Sequence, residues 1–226
     1  MIISRSMIVN NNMETKAEII SMNSNTRGEL GGFEYELWRQ SKGDVSMVMT
    51  GGGTFKCKWD DVDNILFRAG KKFDSTKTHD ELGAFYVDYG VDYHPSGNSY
   101  LCLYGWTIEP LLEFYVVDAW GDWRPPGADS KAIIEIDGGT YDVYETTRHQ
   151  MPSIQGVQTF QQFWSVRTGK KTEGAISVTE HIKAWENMGM KLGKMHEIAF
   201  CIEGYMSSGI ANVYRHVLKI GDAVFG

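Results

Sequence analysis

Nowhere in this 226-residue chain do 18 apolar residues follow one another, so no membrane-spanning helix is expected. The stretch Met1–Val9 is broken by Ser4, Arg5 and Ser6 and followed by Asn10–Asn12, which leaves too short an apolar run for a signal peptide. Cysteine is scarce and odd in number. Cys57, Cys102 and Cys201 cannot all pair within one chain and fit no zinc-ligand spacing, so free thiols are expected. Positive charge is in deficit as well: a formal net charge of -7 leaves no broad basic surface to displace counterions from a polyanion. Nucleic acid and anionic membrane are therefore poor partners, and a neutral polymer is not. After residue 31 there is no internal repeat, low-complexity tract or linker.

What the chain does contain is glycine and aromatic surface. Its 25 glycines, 7 tryptophans and 11 tyrosines favour a turn-rich β protein with ring faces left over for a ligand such as a sugar. With 42% hydrophobic residues, one sizeable core and one domain are expected. From Gly31 onward, short runs rich in Val, Ile, Tyr, Phe and Trp alternate with turn clusters at Thr50–Gly53, His94–Asn98, Arg124–Ala128 and Asp137–Gly139. That rhythm predicts an antiparallel sandwich. One helix is predicted, over about 177–188: Ser177–Glu180 has the form of a capping box, and Val178, Ile182, Trp185 and Met188 follow at helical spacing. Thr168–Glu173 reads as a solvated turn. Residues 1–28 read as a largely flexible extension, with at most a short strand over Ala17–Met22, ahead of a domain at 29–226.

Strand alternation sorts the informative residues. In Tyr100–Trp106, Tyr100, Cys102, Tyr104 and Trp106 share one face and Leu101 and Leu103 the other. Glu113, Tyr115 and Val117 lie opposite Leu112, Phe114 and Val116, and Cys201, Glu203 and Tyr205 opposite Phe200 and Ile202. Three strands with apolar backs thus present Tyr, Trp and two Glu, the parts a glycosidase needs for stacking and acid/base work. Each strand taken alone is also consistent with a face that merely meets solvent.

Six segments carry a resemblance: YLCLYGW at 100–106, PLLEFYVVD at 110–118, DGGTYDVY at 137–144, TRHQMPSIQG at 147–156, FWSVRT at 163–168 and EGYMSSGIANV at 203–213. In this order and spacing, from about Phe33 to Ile220, the chain resembles the xylanases of glycoside hydrolase family 11. The resemblance implies an all-β fold: a β-jelly roll of two packed, strongly twisted antiparallel sheets forming a cleft, with the helix outside it. It implies Glu113 as nucleophile and Glu203 as acid/base of a retaining hydrolysis of β-1,4-xylosidic bonds, the two carboxyls roughly 5–5.5 Å apart. A charged Glu113 is expected to keep Glu203 protonated up to near-neutral pH.

Further positions follow from the resemblance. Tyr104 and Tyr115 match tyrosines that bond the nucleophile and the adjoining sugar, Arg148 and Gln162 match polar cleft residues, and Tyr205 lies by the acid/base. Trp38 matches a tryptophan that stacks on a distal xylose, and Trp106 joins the aromatic lining. Gln150–Gly156 corresponds to a hairpin called the thumb, with Pro152, Ser153 and Ile154 at its tip; Met151 stands where the family often has a small residue. Asn64 falls beside the acid/base, where Asn accompanies a near-neutral pH optimum. Xylan and xylo-oligosaccharides are the implied partners, outside the cell and bound by a monomer, with no metal or cofactor because the carboxylates do the chemistry. No role is assigned to Cys102 or Cys201, and the 1–28 extension has no match. Two other readings stay open, a carbohydrate-binding module, which would not need the two glutamates, and a β-1,4-glucanase with a wider cleft.

Overall fold

The computed structural model describes residues 20–226, and the alternation of apolar and polar side chains organises most of them into strands. Among these the strands are β1 (Ile20–Met22), β2 (Thr26–Leu30), β3 (Phe33–Gln40), β4 (Asp44–Gly51), β5 (Thr54–Lys72), β6 (Phe85–Ile108) and β7 (Leu112–Trp120). They continue as β8 (Ala132–Ile136), β9 (Gly139–Ser153), β10 (Gly156–Arg167), β11 (Glu173–Ile176), β12 (Lys194–Ile220) and β13 (Ala223–Phe225). Two helices interrupt them, α1 (His79–Leu82) and α2 (Val178–Asn187). The result is an all-β jelly roll.

Three very long strands join its two layers. The halves of β12 before and after Tyr205–Ser207 pair with the corresponding halves of β5 and β6, so one hydrogen-bonded network runs through both layers. The bend falls where neighbouring strands carry left-handed residues, Asp61 (φ 46°), Gly97 (φ 90°) and Met206 (φ 47°), at a β-bulge in β12. A bulge adds a residue to one strand and sharpens its twist, which curls the sheet into a trough beside Glu203. Between the layers lies a core that includes Phe33, Phe55, Trp59, Phe67, Leu103, Phe114 and Phe200. A second buried cluster, with Tyr100, Tyr104, Trp106, Tyr115, Phe160 and Trp164, lines the concave side.

Several expectations are corrected. His94–Asn98 is not a turn: β6 continues through it unbroken, with Pro95 and Gly97 absorbed opposite Gly209 and Ser207 of β12. Of the segment read as an extension, residues 1–19 lie outside the described residues, but β1 pairs with β4 and β2 with β3, so order begins ahead of residue 29. The strand expected over Ala17–Met22 is described only as Ile20–Met22. Helix α2 forms, yet the Ser177 capping box does not; the Ser177 N–H and Oγ instead donate to the Asp137 carboxylate at 2.6 and 2.7 Å. The charged run Thr168–Glu173 is only partly solvated, because Lys171 folds inward to within 3.6 Å of buried Asp118. Helix α1 was not foreseen, being a single turn without room for a period. Among the described residues the pairing is antiparallel except that β10 runs parallel to β7.

Candidate active site

Register across the curved sheet decides what the site contains, because residues directly opposite one another on neighbouring strands share a face. One row reads Trp38 on β3, Leu66 on β5, Glu203 on β12, Tyr100 on β6 and Trp120 on β7. Another reads Glu197, Trp106, Glu113 and Gln162. Between them lies the row Ala199, Tyr104, Tyr115, Trp164 and Tyr144. Glu113 and Glu203 therefore face the same trough, with β6 between their strands.

Glu113 is buried, 7% exposed, and its Oε2 accepts a hydrogen bond from Gln162 Nε2 at 2.5 Å. That amide is itself oriented. Trp164 Nε1 donates to Thr146 Oγ1 at 3.1 Å, and Thr146 Oγ1 donates to Gln162 Oε1 at 3.1 Å, which leaves the amide NH2 for the carboxylate. The parallel β7–β10 pairing is what sets Gln162 beside Glu113. Tyr104 and Tyr115 favour the ionised form of Glu113, and Tyr115 that of Glu203 as well. Tyr115 is fixed by stacking on Trp164, centroids 4.0 Å apart and planes 6° from parallel.

The two acids have different surroundings. Burial pushes the Glu113 pKa above its ordinary value, while Gln162, Tyr115, Tyr104 and the Arg148 charge pull it back. Glu203 is pushed up to about 8, first by burial and second by the negative charge of Glu113. Desolvation therefore outranks the like charge that sequence reasoning put first. Among the described residues Glu203 Oε2 has no hydrogen-bond partner, whereas the Glu203 carbonyl is anchored by Ser99 Oγ at 2.5 Å. This arrangement presents a neutral acid with a free oxygen beside a carboxylate tied to donors, which suffices for proton donation paired with nucleophilic attack.

The other expected residues are placed as follows. Asn64 lies opposite Tyr205, two residues along β5 from the Glu203 row, with Oδ1 buried and unpartnered among the described residues. Tyr205 is 50% exposed and Trp38 half-buried, both at the trough surface. Trp106 is not an open platform: it is 3% exposed, packs on Phe160 at 4.9 Å, and its indole N–H donates to the Tyr104 hydroxyl. Arg148 is exposed on β9 opposite Phe160. Pro152 and Ser153 close β9, and Ser153 Oγ is spent inside the turn, donating to Gly156 O at 2.7 Å. Ile154 and Met151 pack against the concave aromatic cluster. Residues that sequence reasoning missed include Thr146, Trp164 and Ser99, whose roles depend on cross-strand partners, and Trp123, 43% exposed with its ring 6.3 Å from Tyr100. Cys57, Cys102 and Cys201 are free and buried.

Comparison with known proteins bears directly on this trough. The family model described as "Glycosyl hydrolases family 11" matches residues 30–214. The chain belongs to glycoside hydrolase family 11. It is 58% identical over 197 residues to endo-1,4-beta-xylanase A of Thermoclostridium stercorarium, covering 87% of this chain and 30% of that protein. It is 52% identical over 202 residues to endo-1,4-beta-xylanase A of Bacillus pumilus, covering 89% of this chain and 88% of that one. Among solved structures, the family 11 xylanase from Neocallimastix patriciarum superposes with a TM-score of 0.82 at 33% identity, covering 90% of this chain and all of that one. The chain spans only 30% to 38% of the length of three of its curated relatives, so these family 11 domains sit within longer proteins.

Proposed function

We propose that this family 11 domain cleaves β-1,4-xylosidic bonds within xylan with retention of configuration, Glu113 acting as nucleophile and Glu203 as acid/base. The observation that carries the reading is the pair of unlike carboxyls facing one trough across β6, one hydrogen-bonded by Gln162, the other raised to about 8 with an unpartnered oxygen. In the first step Glu203 gives its proton to the departing glycosidic oxygen while Glu113 attacks the anomeric carbon. The resulting ester removes the charge of Glu113, so Glu203 becomes more acidic and takes a proton from the incoming water. Burial remains, which is why the pKa falls only part of the way on this account.

The remaining roles belong to the same proposal. Tyr104, Tyr115, Gln162 and Arg148 orient Glu113 and the adjoining sugar; Trp38, Trp106, Tyr205 and the hairpin residues Pro152, Ser153 and Ile154 shape the binding surface. Asn64 sets the upper pH range through Glu203. Trp123 extends the aromatic lining beyond Tyr100. The substrate is met outside the cell by a monomer, and among the described residues no helix is long and apolar enough to cross a membrane.

Reducing-sugar release from xylan and from carboxymethylcellulose tests the reading. Release from xylan alone is expected. Release mainly from carboxymethylcellulose would favour a glucanase, and binding without release would favour a carbohydrate-binding module.

A further inference from the structure

Between the Glu203–Tyr100 row and the Ala199–Tyr104 row lies one that the proposed chemistry does not use: Cys201 on β12 stands directly opposite Cys102 on β6. Both are free thiols, wholly buried, and both belong to the cluster that lines the concave side. On that side neighbouring rings of the cluster, Tyr100 and Tyr104 among them, cover the sulfurs, not the second layer. The Cys102 S–H turns toward its partner and donates weakly to the Cys201 carbonyl oxygen at 3.8 Å. Cys57 has no cysteine opposite it; Met47 and Ala211 hold those positions. Burial first, then the Cys201 thiol and the charges of Glu203 and Glu113, push the Cys102 thiol up, and burial pushes up Cys201 as well. Cys102 thus lies close enough to feel both proposed catalytic acids.

Residues directly opposite one another on antiparallel strands have Cα atoms about 4.5–5.5 Å apart, inside the range of roughly 4.4–6.8 Å that a disulfide spans. The strand pairing therefore need not change for these two sulfurs to join. Joining them does tighten the floor of the trough, because cross-strand Cβ atoms about 4.5–5.5 Å apart must close to about 3.8 Å. Glu203 is two residues along β12 from Cys201, and Tyr104 two residues along β6 from Cys102, so the contraction reaches the proposed acid/base and a tyrosine that holds the proposed nucleophile. A misplacement of about 1 Å is enough to cost on the order of 100-fold in turnover. Because burial keeps both sulfurs protonated at neutral pH, their oxidation is slow there and quickens as pH rises.

We infer that Cys102 and Cys201 form an oxidative modification site in the floor of the trough, closed by hydrogen peroxide to a disulfide that lowers turnover and reopened by a dithiol reductant. One sulfur, as thiolate, attacks a peroxide oxygen; the O–O bond breaks, and the departing hydroxide takes up the proton that the thiol released. The second sulfur then displaces water from the sulfenic acid. Two S–H groups and one peroxide thus give one S–S bond and two waters, the sulfurs losing two electrons to the peroxide oxygens. The cross-link is independent of the proposed function, and its effect on turnover rests on it. The test treats the full chain with hydrogen peroxide, measures kcat on xylan before and after dithiothreitol, and maps a non-reduced digest by mass spectrometry. A linked pair of peptides carrying Cys102 and Cys201 is expected, forming faster at alkaline than at neutral pH, with a fall in kcat of about tenfold or more that dithiothreitol restores. Methionine oxidation would not be restored by that reductant. Cys57→Ala should behave as the parent does, and Cys201→Ala should keep its kcat through the treatment; Cys102→Ala serves if Cys201→Ala does not fold. Absence of the linked peptides, a link that leaves kcat unchanged, or an equal reversible loss in Cys201→Ala overturns the inference while leaving the proposed function standing. An untreated chain that does not cleave xylan overturns the proposed function and the effect on turnover, and the linked peptides then decide the modification site by themselves.

Discussion

Strand β7 carries a buried acid on each face, and the two are finished differently. On the side packed against the other layer, Asp118 is wholly enclosed: Tyr89 and Tyr141 donate to its two oxygens and Lys171 stands 3.6 Å away. On the concave side Glu113 has donors, but its neighbours Glu203, Asn64 and Glu197 each keep a buried oxygen without a partner among the described residues. A carboxylate that serves the fold is surrounded until it is satisfied. On the proposed function, the unpartnered oxygen of Glu203 is completed by the substrate, whose glycosidic oxygen accepts its proton.

Substitutions should separate the two faces. The largest effect on activity is expected at Glu113→Gln, a loss of about 10^4-fold or more in kcat on xylan with an unchanged melting temperature. Asp118→Ala should do the reverse, removing about 3–5 kcal/mol of stability by stranding Lys171 and two tyrosines, read as a melting temperature roughly 10 °C lower. If Asp118→Ala melts normally, the contrast between the faces is wrong.

A subtler consequence follows from linkage. The Glu203 pKa is raised above its unfolded value, to about 8, so the folded state holds a proton that the unfolded state releases. Stability is therefore undiminished below the unfolded pKa and falls as pH rises toward 8. Glu203→Gln removes that loss, and the variant should be more stable than the parent at pH 8 by on the order of 2 kcal/mol, but not at pH 4. Denaturant melts at the two pH values check it. In the active protein, the same titration should end activity on the alkaline side near pH 8, and Asn64→Asp should move the whole profile downward by sharing a proton with Glu203. A profile unmoved by Asn64→Asp would remove Asn64 from the account. Smallest of the set, Thr146→Val should lower kcat only several-fold, by freeing the Gln162 amide to turn away from Glu113.

Much of the concave face was legible from period-two alternation alone, since Tyr100, Tyr104, Glu113, Tyr115, Glu203 and Tyr205 sort correctly whatever the topology. Their partners were not. Gln162 reaches Glu113 only because β10 runs parallel to β7, and a parallel pairing leaves no local mark in sequence. The passage of β6 through Pro95 and Gly97 was hidden because turn-forming residues also serve at bulges. Trp106 reads as a surface ring by alternation, yet Phe160 from another strand covers it. The helix was placed within a residue or so at each end, while its cap was misread because Asp137, forty residues away, takes the Ser177 donors.

The central claim is that two unlike carboxyls act in turn, with a covalent sugar on one of them. Incubation with a 2-deoxy-2-fluoro xylobioside bearing a good leaving group, followed by mass spectrometry of the digested protein, tests it most directly. One fluorosugar on the peptide that carries Glu113 is the predicted result. A label on the Glu203 peptide, or turnover with inversion and no label at all, would contradict it.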